Sequence, residues 1–441
     1  PIDMQPFYDA LPFSLTDAQR RAAGEAMADM CGKTPMNRLC QGDVGSGKTM
    51  VAAACIYFAA QNGYQSALMA PTELLAQQHY HSLAPLLEKL GVRCALLTGS
   101  LSAKTKKSIR AQLETGEITV AVGTQALISR DVTFSSLGLV VADEQHRFGV
   151  AQRAALSAKA EKPHMLVMSA TPIPRTLALM IYGDLDISVI DELPPGRQNT
   201  DTFAVPNSYH ERVYRFIRKH VRAGRQVYIV CSLVGAPDTI PNEKKTVTEY
   251  TSRLQTEIFP DLRVGCVHGK MKSSEKERIM AAFAAGTLDI LVSTTVIEVG
   301  VDVPNATIMV VENAEQFGLS QLHQLRGRVG RGTEKSYCIL FSDTRSENTK
   351  TRLRAMTETN DGFRIAQQDL ELRGPGDFFG QRQHGLPSLK VADLHCDLEL
   401  LHTACRAADE LLAADPDLKD EAHRGIADKI RALFQSAEGS L

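Results

Sequence analysis

One stretch near the N-terminus limits the folds open to this chain more than any other. Residues 42–49, with the sequence GDVGSGKT, match the pattern GxxxxGK(S/T). They follow a short apolar run at Leu39-Cys40 and open a helix-compatible run through Val51–Ala60. In this strand–loop–helix setting, glycines let backbone N–H groups curl around phosphates, and the helix N-terminus adds its dipole. The pattern therefore predicts an α/β sheet that binds a nucleotide.

The polar residues of this loop have separate expected roles. Lys48 would reach the β- and γ-phosphates, and the hydroxyl of Thr49 would ligate Mg²⁺. The rest of the loop would line the ATP site, at Gly42, Asp43, Val44, Gly45, Ser46 and Gly47. A chance glycine-rich turn is the alternative, but it would not need a strand before it and a helix after it.

A pair of carboxylates ends another apolar run. Asp143 and Glu144 follow Leu139–Ala142, and parallel sheets bind ligands at the carboxyl ends of their strands. We predict that Asp143 helps to hold Mg²⁺ and that Glu144 orients or deprotonates the attacking water. Ser169 and Thr171 end a further apolar run. A hydroxyl-rich turn and a relay between the phosphate site and a nucleic acid both fit them.

Short apolar runs alternate with helical stretches over most of the chain. Such runs are typical of strands buried on both faces, and the alternation predicts doubly wound parallel sheets. The pattern pauses at Leu193–Arg197, where paired prolines favour an extended linker, and then restarts, so we predict two lobes. The runs of the first lobe are Leu39-Cys40, Ala67–Ala70, Ile118–Val122, Leu139–Ala142 and Met165–Met168. Those of the second are Val227–Val230, Val264–Val267, Ile290–Ser293, Ile308–Val311 and Cys338–Phe341.

The strand pattern ends near Asp343, and helical stretches follow. Helix breaks are expected at residues 360–362 and 374–376, and Leu398–Phe434 is expected to be helical throughout. Residues 235–248 are polar and contain prolines, which predicts a mobile surface loop. The predicted domains are lobe 1 (1–195), lobe 2 (196–345), a helical hairpin with its loop (346–395) and a helical tail (396–441).

Composition narrows the class of protein. The 49 Lys and Arg nearly balance the 51 Asp and Glu, so any nucleic-acid contact must come from placed residues rather than from overall charge. The nine cysteines occur singly, which argues against a structural zinc site and favours a reduced cytoplasmic compartment. No apolar run approaches the roughly 20 residues of a membrane span, and the first residues do not resemble a signal peptide.

The stretch Gln324–Gly332, with the sequence QLRGRVGRG, combines arginines with glycines. Arg328 and Arg331 are three residues apart, so on a helical turn they would share one face. Glycine costs about 1 kcal/mol against alanine inside a helix, and its repetition here indicates a geometrical demand. We predict that both arginines complete the ATP site from lobe 2, where an arginine can speed phosphoryl transfer by about 10³–10⁵. A surface basic patch is the alternative.

Taken in order, these motifs resemble those of superfamily-two helicases and translocases. The resemblance implies two tandem RecA-like doubly wound parallel-sheet lobes with a C-terminal helical hairpin and helical tail. It also implies that Phe13 and Gln19 read adenine, and that Gly300, Asp302 and Gln324 belong to the ATP site. Sequence-blind DNA contacts are implied at strand ends, namely Pro71, Thr72, Thr98, Gly99, Thr124, Gln125, Ser169, Thr171, His268, Gly269, Thr294 and Thr295.

Residues 359–376 and 380–385 are similar to the translocation motif of the RecG and Mfd families, and more similar to that of RecG. The resemblance implies a helical hairpin and a loop in which Gln381 and Arg382 couple lobe closure to movement on duplex DNA. A plain helical cap on lobe 2 is the structural alternative.

The function implied by the RecG resemblance is an ATP- and Mg²⁺-dependent translocase that remodels branched DNA in the bacterial cytoplasm, near the nucleoid. We expect a monomer that binds double-stranded and branched DNA, with single-strand DNA-binding protein a further candidate partner. An N-terminal wedge domain precedes the motor in that family, so the chain is expected to be the motor part of a longer protein. An Mfd-type translocase, a DEAD-box RNA-unwinding enzyme and an ATP-gated binding module are the alternatives.

Overall fold

The computed structural model describes residues 2–129, 131–143, 163–170, 185–194, 198–232, 243–294, 303–379 and 398–438. The expected alternation of strands and helices builds two separate parallel sheets. We call the part that carries the seven-stranded sheet lobe 1 and the part that carries the six-stranded sheet lobe 2. The chain passes from one sheet to the other between Ile190 and Thr200.

Lobe 1 contains the loop with the phosphate-binding pattern. Its strands are β1 Asn37–Gly42, β2 Gln65–Met69, β3 Cys94–Leu97, β4 Val120–Gly123, β5 Leu137–Asp143, β6 His164–Ser169 and β7 Asp186–Ile190. Its helices are α1 Gln5–Ala10, α2 Asp17–Met30, α3 Lys48–Gln61, α4 Glu73–Lys89 and α5 Ala103–Glu114, with a 3₁₀ turn at Gln125–Ile128. The strands lie in the order β3-β4-β2-β5-β6-β1-β7.

Lobe 2 repeats this arrangement. Its strands are β8 Thr200–Val205, β9 Gln226–Val230, β10 Val264–Val267, β11 Ile290–Ser293, β12 Ala306–Val311 and β13 Ser336–Phe341. Its helices are α6 His210–Arg222, α7 Glu243–Arg253, α8 Ser273–Ala284 and α9 Leu319–Arg326. Shorter turns lie at Asn207–Tyr209, Leu254–Ile258 and Ala314–Gln316. The strands lie in the order β10-β11-β9-β12-β13-β8.

The described residues that follow β13 are mainly helical. The helices are α10 Glu347–Glu358, α11 Gly362–Phe379, α12 Leu398–Ala414 and α13 Arg424–Glu438, with a 3₁₀ turn at Glu421–His423. Helices α10 and α11 form the expected hairpin, and the side chain of Asp361 accepts the N–H of Phe363 (2.9 Å) at its turn. Ile365 of α11 joins the core cluster of lobe 2, so the hairpin packs on that lobe.

Burial on both faces explains why the strands are apolar throughout. Along β5, Leu139 and Val141 face one core cluster of lobe 1, while Val140 and Ala142 face the other. The predicted apolar runs are confirmed as strands. The sequence pattern missed β3, β7 and β8, because these strands are short or carry polar residues, as in Thr200–Val205.

Three local predictions were wrong. Helix α7 begins at Glu243, inside the stretch predicted as a loop, while residues 235–242 lie outside the described part. Helix α11 continues to Phe379 through the expected break at 374–376, since extending a helix held by packing costs less than starting one.

The predicted helix over Leu398–Phe434 is divided between α12 and α13. Asp415 accepts the N–H groups of Lys419 and Asp420 at 2.9 Å, and its Oδ2 lies 2.9 Å from Nδ1 of His423. Pro416, which has no N–H to continue a helix, follows it directly. These bonds lower the pKa of Asp415 to about 2, with His423 the main cause.

Matched side-chain contacts show that the lobes are related, although the sequence shows no repeat by identity. Gln65 opens β2 and donates to the carbonyl of Leu113 in the last turn of α5 (2.9 Å) and to that of Ile118 beyond the helix (2.7 Å). In lobe 2, Gln226 opens β9 and donates to the carbonyl of Phe283 in the last turn of α8 (2.6 Å) and to that of Leu288 beyond the helix (2.7 Å). Each amide therefore closes the same strand–helix junction in its lobe.

Candidate functional site

The phosphate-binding loop folds as its sequence predicts, between β1 and α3. The Lys48 ammonium donates to the carbonyls of Gly42 and Asp43, both at 2.8 Å. It thus lies inside the loop, at the place where phosphate oxygens would meet backbone N–H groups. Lys48 and Ser46 are buried, at 9% and 0% exposure.

Gln19 holds this loop from α2. Its Nε2 donates to the carbonyl of Ser46 (2.7 Å), and its Oε1 accepts the N–H of Thr16 (3.0 Å). Gly47 has φ +82°, and a Cβ there would lie 2.2 Å from Nε2 of Gln19, so only glycine fits. Gln19 therefore positions the loop, and its expected contact with adenine remains a prediction. Phe13 is 48% exposed.

Asp143 lies at the carboxyl end of β5, as expected, and has a partner that the sequence analysis missed. Nε2 of His79, on α4, lies 2.6 Å from its Oδ2. His79 is 8% exposed. The signal in the sequence was the spacing of Leu75, Gln78, His79 and Ser82, which places them on one face of α4. All of them line the nucleotide cavity.

A cavity of about 360 Å³ opens between the lobes. Arg328 and Arg331 of lobe 2 line it together with Lys48, Thr49 and Asp143 of lobe 1. The structure thus brings together every described residue to which a catalytic or metal-binding role was given. Val44, Gly45, Gly47 and Ala170 complete its wall with the α4 face. Some of the expected nucleotide contacts in the described part are not among the lining residues, namely Phe13, Gln19, Gly42, Asp43, Ser46 and Gln324.

The arginines do not share a helical face, which corrects the sequence prediction. Helix α9 ends at Arg326, and Arg328 and Arg331 follow in an irregular turn. The turn requires its glycines: Gly330 has φ +79°, and a Cβ at Gly327 would lie 2.9 Å from Cβ of Val44. Gly327 therefore lets lobe 2 approach the phosphate-binding loop closely.

A second contact joins the lobes beside this cavity. Nε2 of His323, on α9, lies 2.6 Å from Oδ1 of Asp43. Burial by itself would raise the pKa of the Asp43 carboxyl, but the hydrogen bond from His323 and the N–H of Val44 hold it below its ordinary value. His323 is 4% exposed. Neither His323 nor its role was predicted from the sequence.

The strand order of lobe 1 separates two groups of polar residues. Strands β5, β6 and β1 are adjacent and end at the nucleotide cavity, with Asp143 on β5. Strands β3, β4 and β2 are adjacent on the other half of the sheet. They end at the residues expected to contact DNA, which are Thr98, Gly99, Thr124, Gln125, Pro71 and Thr72. Ser169 ends β6 and is 1% exposed.

Lobe 2 shows the same pattern at β10, β11 and β9. His268 follows β10, is 6% exposed, and its Nδ1 has no partner within the described part of the chain. The same holds for Oγ of Ser232, which follows β9. Thr294 follows β11 and is buried. Gly269 is exposed, and its carbonyl accepts from Lys276 of α8 (2.8 Å), as that of Gly99 accepts from Lys106 (2.5 Å).

Several predicted site residues lie outside the described residues, and their roles remain predictions. They are Glu144, Thr171, Thr295, Gly300, Asp302, Gln381 and Arg382. Within the described part, no group of His, Cys, Asp or Glu could hold a metal ion by itself. No helix in that part is long and apolar enough to cross a membrane.

Comparison with known proteins gives three family matches in chain order. Residues 16–180 match "DEAD/DEAH box helicase", and residues 209–333 match "Helicase conserved C-terminal domain". Residues 359–436 match "ATP-dependent DNA helicase RecG, domain 3, C-terminal".

Two curated relatives are each named ATP-dependent DNA helicase RecG. The protein of Synechocystis sp. is 50% identical over 436 residues, which are 99% of this chain and 52% of that protein. The protein of Bacillus subtilis is 50% identical over 429 residues, which are 97% of this chain and 62% of that protein. The chain thus spans between about half and three fifths of these relatives.

Among solved structures, RecG bound to a three-way DNA junction is 48% identical, with a TM-score of 0.77, over 90% of this chain and 51% of that one. Dbp5 of S. cerevisiae, solved with RNA and ADP BeF3, is 18% identical, with a TM-score of 0.57, over 84% of this chain and 90% of that one. The Dbp5 likeness concerns the fold alone. Identity over nearly the whole chain, together with the third family match, shows that the chain belongs to the RecG family.

Proposed function

We propose that the chain is an ATP-dependent motor that moves along double-stranded DNA and remodels branched DNA, such as stalled forks and Holliday junctions, in recombination and repair. One observation carries the ATPase part. Arg328 and Arg331 of lobe 2 line the same cavity as Lys48, Thr49 and Asp143 of lobe 1. Hydrolysis in such a site requires both lobes, so each turnover can be converted into relative movement.

The residues of the cavity fit ATP and Mg²⁺. Thr49 and Asp143 supply the oxygen ligands that Mg²⁺ prefers, and both line the cavity. Bound there, Mg²⁺ would neutralise phosphate charge. Lys48 would exchange its two backbone carbonyls for phosphate oxygens, and the arginines would stabilise the transferred phosphoryl group from the opposite side. Glu144 is the proposed base.

The DNA part of the proposal rests on the strand ends away from the nucleotide. In both lobes, the three adjacent strands on one half of the sheet end in hydroxyls, glycines or a buried histidine. Nδ1 of His268 and Oγ of Ser232 are buried polar atoms without a partner in the described part. A phosphate oxygen would satisfy each of them without reading sequence.

The two RecG relatives are bacterial and carry helicase in their names, which supports DNA in the bacterial cytoplasm as the substrate. A monomeric motor, association with the nucleoid and contact with single-strand DNA-binding protein remain further proposals.

ATP hydrolysis should be measured with duplex DNA, a three-way DNA junction, single-stranded DNA and RNA. We expect duplex and branched DNA to stimulate turnover most, and Lys48→Ala to abolish it. Arg328→Ala should lower it by about 10³ or more, while the exposed Arg345→Ala serves as the matched control. Strong preference for RNA, or stimulated turnover retained by Lys48→Ala, would overturn the proposal.

A further inference from the structure

Asp43 connects the phosphate-binding loop to lobe 2. Its carbonyl accepts a hydrogen bond from Lys48 (2.8 Å), the residue proposed to bind the phosphates. Its carboxylate Oδ1 accepts from the N–H of Val44 (2.6 Å) and lies 2.6 Å from Nε2 of His323. A change in the contacts of Lys48 therefore affects Asp43, which His323 of lobe 2 also contacts.

The contacts of His323 fix its tautomer. Nη2 of Arg326 lies 3.0 Å from Nδ1 of His323, and a guanidinium can only donate, so Nδ1 accepts. The ring hydrogen is then on Nε2, which donates to Asp43. The three side chains form a directed chain of hydrogen bonds, from Arg326 to His323 to Asp43. In a buried site, linked hydrogen bonds polarise one another, so each bond is stronger than it would be alone.

Arg326 extends this series of hydrogen bonds to the α10–α11 hairpin. Its Nη1 donates to the carbonyls of Met356 (2.7 Å) and Thr359 (2.9 Å), where α10 ends. Carbonyls of a last helical turn have no partner within their helix, so they depend on such donors. Because Arg326 is only 2% exposed, water cannot easily replace its guanidinium as the donor to these two carbonyls. A small cavity of about 30 Å³ is lined by Asp43, His323, Arg326 and Asn360. It leaves room for the three hydrogen-bonded side chains to shift.

We propose that His323 is a positioning residue that transmits the state of the phosphate-binding loop to the α10–α11 hairpin. When Lys48 leaves the carbonyl of Asp43 for a phosphate, Asp43 moves relative to His323, and Arg326 moves the end of α10. The inference rests on the proposed function, because it assigns the path by which nucleotide turnover reaches the α10–α11 hairpin.

The first test measures coupling with the full chain. For His323→Ala, we expect DNA-independent ATP hydrolysis within about twofold of the parent, while third-strand displacement from a DNA triplex, per ATP hydrolysed, falls about tenfold. His323→Gln should restore most of it, because the amide donates to Asp43 and accepts from Arg326. His81→Ala, an exposed histidine on α4, is the matched control.

A double-mutant cycle tests the pairing itself. Asp43→Asn is expected to lose displacement per ATP, and the double variant Asp43→Asn with His323→Ala should lose little more than either single variant. Losses that multiply, or a His323→Ala protein as well coupled as the parent, would overturn the inference. A parent that displaces no third strand would instead remove the proposed function.

The second test does not depend on movement along DNA. Amide hydrogen exchange across 354–362 should be compared with and without ADP. In the parent, ADP is expected to change the exchange of this segment, and in His323→Ala the change should be absent although ADP still binds. An equal change in both proteins, or none in the parent, would refute the path through His323.

Discussion

Gly327 shows how a single residue sets the distance between the lobes. A Cβ at this position would lie 2.9 Å from Cβ of Val44, in the phosphate-binding loop. That atom belongs to a branched side chain next to the backbone, so it cannot swing away. The sequence indicated a geometrical demand in this stretch, and the structure identifies it as close approach across the cleft.

Gly327→Ala is therefore expected to hold the lobes apart and to lower ATP turnover by about tenfold or more. The reason is that Arg328 and Arg331 would no longer reach the phosphates at their proper distance. The measurement is the rate of ATP hydrolysis at saturating ATP, together with the thermal unfolding temperature. Unchanged turnover would contradict this role.

Gly24→Ala is the matched control. Gly24 lies in the interior of α2, and a Cβ there would meet no atom within 4 Å. Alanine should stabilise the helix by about 1 kcal/mol and leave turnover as in the parent. A loss of activity in this variant would show that glycine replacement is harmful in general.

At the scale of elements, the two sheets show which parts of the fold a sequence pattern can predict. Strands buried on both faces gave continuous apolar runs and were predicted. The edge strands β7 and β8, with exposed or polar positions, were not. The similarity between the two lobes was not visible in the sequence either. The lobes share matching hydrogen bonds, such as those of Gln65 and Gln226, rather than identical residues.

Gln65→Leu is expected to lower the free energy of unfolding by about 1–3 kcal/mol, because it removes the side-chain donor that the carbonyls of Leu113 and Ile118 share. Chemical denaturation would measure the change. Amide exchange should place the loss in lobe 1, whereas Gln226→Leu should show the same loss in lobe 2. Gln61→Leu, at an exposed position, is the control; an equal loss there would refute the argument.

At the scale of the whole molecule, the lobes also meet away from the nucleotide. Leu74, beside the expected DNA contacts of lobe 1, packs against the core cluster of lobe 2. Glu277 of α8 is half-buried, and burial together with the charge of Glu73 on α4 raises its pKa. Two carboxylates of different lobes therefore lie close together at this contact.

The raised pKa of Glu277 gives a pH dependence with a definite sign. The protonated form is favoured in the folded arrangement, so its contribution to stability is complete below the ordinary pKa and is lost as pH rises through the raised one. Glu277→Gln should therefore raise the unfolding temperature at neutral pH and much less at acid pH. Glu275→Gln, in the exposed first turn of the same helix, should show no such pH-dependent difference.

Coupling across the whole chain gives a further prediction at Arg382, which lies outside the described residues. Arg382→Ala is expected to keep ATP hydrolysis largely intact and to abolish translocation, because the loop after the hairpin is proposed to touch both the DNA and the arginine stretch Gln324–Gly332. Triplex displacement measures this. Displacement equal to the parent would refute it.

The sequence by itself determined the fold class and predicted a set of residues that meet in the cavity. Glycines, a lysine and strand-end carboxylates in fixed order are local requirements of phosphate binding, so spacing along the chain reveals them. Only the tertiary structure decided how the lobes meet. Asp43 and His323 are 280 positions apart and bond at 2.6 Å, and His79 reaches Asp143 from another element at 2.6 Å. Such pairs depend on where whole sheets and helices pack, and no local pattern encodes that.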